Sequence, residues 1–160
     1  MEVLIVNAKE NTIKKADINN SLETFYEIIG TDSISIIARN INGKMTQIIC
    51  DEEGKLKADQ YVSAVSTEIN EYIYTNDNDI HINFNYLVYQ KRKEKPELIG
   101  IFSKYEDAVK CCNNSCNNMT WIEEVNEFLV GNLIIKSQDK SIIDDFNKNG
   151  VITYSRYESI

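Results

Sequence analysis

Residues 2–7, Glu-Val-Leu-Ile-Val-Asn, alternate in polarity and are rich in β-branched side chains, which predicts a first strand; Thr12 to Ile18 predicts a second. Leu22, Phe25, Ile28 and Ile29 then recur at helical spacing. Asn20 and Ser21 are suited to cap that helix, Glu23 and Thr24 support its first turn, and Gly30 supplies a stop. Ser33 to Ile41 and Lys44 to Cys50 flank Asn42-Gly43. That dipeptide favours the positive φ angles of a two-residue hairpin turn. With a turn at Asp51-Glu52-Glu53-Gly54-Lys55, the first sixty residues read β-β-α-β-β.

From Gln60 to Tyr74 two periods compete. Val62, Val65, Ile69 and Tyr72 or Ile73 fit a helical stripe, whereas the Val, Thr and Tyr content favours strand. The stripe predicts a helix. Asn76-Asp77-Asn78-Asp79 has no apolar anchor and reads as a linker.

Beyond it, Ile80 to Gln90 and Glu97 to Phe102 can pair across a Lys-rich tip. Ser103 and Glu106 form a capping box, opening a helix with Ala108, Val109, Cys112 and Cys116 on one face and Cys111 on another. Trp121 to Ile135 suits one or two strands broken at Gly131. Asp139 to Phe146 suits a short helix stopped at Gly150, and Val151 to Tyr157 a last strand. The expected fold class is α+β, in two small halves, each a mostly antiparallel sheet with one or two helices packed on it. These halves are residues 1–75 (β-β-α-β-β-α) and 80–160 (β-β-α-β-α-β), without a sequence repeat.

Composition narrows the function. A chain of 160 residues with 42% hydrophobic and 26% charged residues can bury a core. No run approaches the ~18 apolar residues of a membrane span, and the acidic, strand-like start does not resemble a signal peptide. A cytoplasmic location is expected, in the host cell if the gene is phage-borne, with no membrane partner. The net charge of −8 opposes direct nucleic-acid binding. The one dense basic run, Lys91-Arg92-Lys93-Glu94-Lys95, reads as a hairpin tip.

Catalytic and metal-binding patterns fall short in spacing. Cys112 and Cys116 give one ligand pair, and Cys50 and His81 would have to complete a zinc site, so the four cysteines read as reduced thiols and no metal is expected. Asp77-x-Asp79 begins a calcium-loop pattern that Ile82 and Val88 break. His81, between Ile80 and Ile82, has no nucleophile beside it. The pairs Glu52-Glu53, Glu123-Glu124 and Asp144-Asp145 are what any acidic chain contains. The six glycines are too dispersed for a phosphate-cradling loop. No cofactor and no enzymatic activity are expected. Nine tyrosines remain, and Tyr72, Tyr74, Tyr86 and Tyr89, with Asp77 and Asp79, are the expected partner-binding residues around the central linker.

Several stretches in the first sixty residues carry a resemblance: Met1-x-Val3-Leu4-Ile5-Val6, Leu22 to Gly30, Ile48-Ile49-Cys50-Asp51 and Glu52-Glu53-Gly54-Lys55-Leu56. Together they resemble a family of small phage and conjugative-element proteins of unknown function. Members of that family usually have Gly-Gly before the third strand and an Asn- and Pro-containing stretch after the turn. This chain has Gly30-Thr31 and Lys57-Ala58-Asp59-Gln60 there. Residues 86–125 resemble another group of small phage proteins through Gly100-Ile101-Phe102-Ser103 before a capped helix. Both resemblances imply an accessory protein of a mobile element. The expected partner is a host protein, such as a component of a defence system to be inhibited, with a homodimer as a further option. The alternative is a protein that sequesters a small nucleotide signal.

Overall fold

Local signals near the N-terminus decide the first elements. β1 (Glu2–Asn7) and β2 (Thr12–Asp17) pair antiparallel, with Val3 opposite Ala16 and Val6 opposite Ile13. The Ser21 hydroxyl accepts from the Thr24 N–H at 3.3 Å and so satisfies one orphan donor of α1 (Leu22–Ile29). Gly30 ends that helix at φ +80°, donating its N–H to the Tyr26 carbonyl. β3 (Ile34–Ile41) and β4 (Lys44–Asp51) form the expected hairpin, in register from Ile34 opposite Asp51 to Ile41 opposite Lys44. The computed structural model describes residues 1–10, 12–41, 43–56, 61–67, 70–73, 85–92, 95–115, 119–149 and 151–153.

After a single 3-10 turn at Gly54–Leu56, the chain departs from expectation. Residues 60–74 contain no helix among those described. They form β5 (Val62–Ser66) and β6 (Asn70–Ile73), paired antiparallel. All five residues of β5 are buried, so this strand shows no alternation between an inner and an outer face. Without the two-residue period, the chance spacing of Val62 and Val65 looks helical.

The remaining elements are β7 (Tyr86–Arg92), β8 (Lys95–Phe102), α2 (Tyr105–Asn114), β9 (Thr120–Glu124), β10 (Glu127–Val130), β11 (Leu133–Ser137), α3 (Lys140–Asn149) and β12 (Val151–Thr153). The capping box is not formed. Lys104 occupies the cap of α2 without a side-chain bond, which leaves Ser103 one residue too early. Glu106 and Asp107 still place negative charge in the first turn, where the helix dipole favours it. Trp121 to Ile135 carries three strands rather than one or two, with Gly131 at φ +79° between the last two.

The molecule is α+β, its three α-helices accompanying mostly antiparallel sheets among the described residues. It divides into two compact units, residues 1–80 with 128–160, and residues 81–127. The stretch expected as one second half is thus shared between them. The cause is β11, which pairs antiparallel with β1 on one side and β4 on the other, giving the sheet order β2-β1-β11-β4-β3. A four-stranded sheet, β10-β5-β6-β12, belongs to the same unit.

That unit has two apolar layers. Leu4, Val6, Ile48, Leu133 and Ile135 point to one side of the five-stranded sheet and pack with Ile142, Ile143 and Phe146 of α3 and with Ala64 and Leu129. Val3, Ile49 and Ile134 point to the other side, where Phe25 and Ile29 of α1 cover them. The second unit is the sheet β8-β7-β9 with α2 packed against it. There a Cβ on Gly100 would sit 2.5 Å from the Phe102 ring and 3.3 Å from Cys111 Sγ. Glycine therefore makes room for the ring, and Cys111 faces the sheet, contrary to the helix face first assigned to it.

Candidate functional site

The α1 side of the five-stranded sheet is only partly covered, for a reason of length. Eight helical residues extend about 12 Å, whereas the eight residues of β3 or β4 extend about 27 Å. Alternation puts Ile34, Ile36, Ala38 and Asn40 of β3, Met45 and Gln47 of β4, and Lys136 of β11 on this side with Val3 and Ile49. Away from α1 they are open to solvent: Ile36 is 50% exposed and Met45 51%, and Ala38 and Asn40 are exposed too. Lys136 marks the boundary, its Nζ 6.0 Å from the centroid of the Phe25 ring.

A depression of about 420 Å³ lies at this end of the sheet, between Met1 and Glu2, Met45 and Gln47, and Lys136, Ser137 and Gln138. Strand register alone brings these residues together, since Gln47 stands opposite Lys136, and Ser137 opposite Thr46. Ser137 fastens the rim. Its hydroxyl accepts from Thr46 Oγ1 and donates to the Met45 carbonyl, both at 3.3 Å. Just beyond, Asp139 accepts from the Ser141 hydroxyl at 2.7 Å and the Ser141 N–H at 2.9 Å, holding the start of α3. Those bonds, with the Lys44 charge, keep its carboxyl below the usual aspartate range. On the opposite side of the sheet Lys15 bridges to Asp144 of α3, and this bond raises the lysine's pKa.

Chemically, the open face and its depression offer the Lys136 ammonium, the N-terminal ammonium of Met1 (bonded to Asp17 at 2.6 Å), the Glu2 carboxylate, carboxamides, a hydroxyl and apolar side chains. These are groups for recognition by hydrogen bonds and buried area. Among the described residues, no three of His, Cys, Asp and Glu gather where they could hold a metal ion. Cys50 is buried, while Cys111 and Cys112 are half-buried, and burial pushes the Cys111 thiol up.

Of the aromatic residues expected to bind a partner, Tyr86 and Tyr89 lie on β7 of the second unit. Tyr86 and Tyr89 project from opposite sides of β7. Tyr86 is half-buried, edge-on to Tyr105 with centroids 5.5 Å apart. Tyr89 is 4% exposed and stacked on Trp121 at 5.9 Å, so its ring belongs to the packing of the second unit. On that side Trp121 Nε1 donates to the buried Glu123 at 2.7 Å. Tyr72 lies on β6, and Tyr74, Asp77, Asp79 and His81 lie outside the described residues, as do Asn42 and Cys116. Sequence reasoning missed Ile36, Met45, Gln47 and Lys136. The available signal was that Ile36 and Ile37 are both apolar although they face opposite sides of one strand.

Sheets of mostly antiparallel strands with helices packed on them place the molecule in the α+β class. Within that class the chain belongs to the family DUF3846, a domain of unknown function, whose model matches residues 1–107. The match runs from β1 to the first turn of α2 and includes the Glu52-Glu53-Gly54-Lys55-Leu56 turn, but not β11, which separates β1 from β4. No curated protein and no solved structure matches the chain. Among the described residues no helix is long and apolar enough to cross a membrane.

Proposed function

We propose that this chain is a non-enzymatic binding protein that engages a macromolecular partner through the open end of the five-stranded sheet, around Ile36, Met45 and Lys136. For a gene carried by a phage or another mobile element, as the N-terminal resemblance implies, that partner is a host protein such as a defence component. One observation carries the reading: apolar side chains half exposed on an ordered sheet, beside a cavity rimmed by amides and an ammonium group. A photo-crosslinking amino acid at Met45, compared with one at Lys14 on β2, tests it in host lysate. A discrete adduct from position 45 alone is expected. Equal labelling from both positions would remove the assignment to this end of the sheet.

The cavity itself favours a second reading, sequestration of a small anionic molecule such as a nucleotide signal. Lys136 with Gln47 and Gln138 supplies a cation and hydrogen-bonding amides around about 420 Å³, and the Glu2 carboxylate that also lines it is answered by Lys15 at 3.9 Å. Ligand binding to the folded state raises the melting temperature. A nucleotide that does so in the wild type but not in Lys136→Ala would establish this reading in place of the first.

A further inference from the structure

The two edges of the five-stranded sheet differ. β2 presents Lys14 and Lys15, both exposed, and charged side chains are a common protection against pairing with another chain. β3, at the other edge, has eight residues, no proline, no lysine and no break in its register with β4. Among the described residues it has a strand neighbour on one side only.

The backbone direction of β3 follows from one hydrogen bond. Glu52 donates its N–H to the Ser33 carbonyl at 3.0 Å, so residue 33 faces β4. In an antiparallel ladder the bonded residues alternate. Ser35 and Ile37 therefore bond to β4, and the peptide groups of Ile34, Ile36 and Ala38 point away from it.

The sequence around this edge also departs from the rest of the chain. From Ser33 to Cys50 there is no acidic residue, while Arg39 and Lys44 are basic, in a chain with 25 acidic residues and a net charge of −8. The flanks, Asp32 and Asp51-Glu52-Glu53, are acidic again. An acidic strand would find complementary charge at Arg39 and Lys44, whereas residues 33–50 of a second copy bring no carboxylate to meet them.

Resting on the binding-face reading above, we infer that β3 is the receptor edge for an extended, acidic peptide segment of the partner, added as a sixth strand through Ile34, Ile36 and Ala38. Main-chain bonds to Ile34, to Ile36 and to the Ala38 N–H give the affinity, the Ala38 carbonyl already accepting from Arg39 Nη1 at 3.4 Å; apolar side chains of the peptide pack on Ile36, and its carboxylates answer the basic hairpin.

Fluorescence polarisation with a labelled peptide of about ten residues alternating valine and glutamate, one strand's length, tests this. Saturable binding to the wild type is expected, with a lysine-for-glutamate peptide and the Ala38→Pro variant each weaker by about tenfold or more. Proline at position 38 removes an outward N–H and leaves the β4 ladder its bonds. Independently of any variant, the peptide should slow amide exchange at Ile36 and Ala38 while Ile37, already bonded to β4, changes little. Three results would each overturn the inference: no saturable binding of the acidic peptide, equal binding of the lysine peptide, or a wild-type dimer in sedimentation that Ala38→Pro dissociates. Peptide binding that survives Ala38→Pro but is lost in Ile36→Lys and Met45→Lys would also overturn strand addition, and would leave the binding face standing.

Discussion

The two sides of the five-stranded sheet are built from the same strands and serve different ends. On the α3 side, Leu4, Val6, Ile48, Leu133 and Ile135 are wholly buried, and Phe146 closes over them. On the α1 side the cover stops with an eight-residue helix, and Ile36, Ala38, Asn40 and Met45 face solvent. Burial of apolar area supplies stability at ~25 cal/mol per Å², so one side carries most of it. On the other, only the part beyond the α1 layer of Val3, Phe25, Ile29, Ile49 and Ile134 is free to change its side chains without unfolding the protein. A binding surface is expected where that freedom coexists with a fully paired hairpin, and the open end of β3 and β4 has both.

The strongest way to break this comparison is to empty the buried side. Phe146→Ala removes a ring with 0% exposure from the α3 layer and should cost about 3–5 kcal/mol, read as a fall in the urea midpoint at constant slope. A loss below about 1 kcal/mol would mean that the α3 layer does not bear the load assigned to it.

Next comes the end of α1, which limits how far the helix covers its side. Gly30 sits at φ +80° with nothing within 4 Å of where a Cβ would lie. Gly30→Ala therefore meets no steric neighbour, and its cost is the left-handed backbone alone, about 1–2 kcal/mol by urea denaturation. A neutral result would show that the helix can end elsewhere.

These two positions also show what the sequence made legible. Ser21 and Gly30 act within one turn of their own backbone, and Gly43, at φ +78°, within one hairpin, so α1, β3 and β4 could be read directly. The stretch 60–74 could not, because β5 is buried throughout and the alternation that marks a half-exposed strand is missing. The open face was hidden for another reason. Gln47 and Lys136 meet only because β11 inserts between β1 and β4, a pairing across most of the chain that leaves no local trace. Tyrosine content pointed elsewhere, since a composition argument does not tell the buried Tyr89 from an exposed ring.

A smaller effect, confined to acid, separates the rim of the open face from the layers beneath it. Asp139 has its folded pKa lowered by the Ser141 bonds and by Lys44. Its contribution is therefore present above the unfolded aspartate pKa and is lost as pH falls through the folded value. Urea midpoints for the wild type and Asp139→Asn should differ at neutral pH and converge in acid, with the wild type the more stable where they differ. A gap that stays constant with pH would show that Asp139 acts as a hydrogen-bond acceptor and not through its charge.

The smallest effect on stability is the most informative about function. Ile36→Lys and Met45→Lys place cations on half-exposed positions that nothing covers in the described structure, so each should move the unfolding free energy by no more than about 0.5 kcal/mol. The double variant should melt like the wild type and yet lose the adduct formed by a crosslinker at a neighbouring position such as Gln47. Both measurements are needed, because a surface that merely tolerates change would give the first result without the second. If the double variant instead lost several kcal/mol of stability, Ile36 and Met45 would have to be part of the packed interior, and the contrast between the buried layers and the open end of the sheet would fail with them.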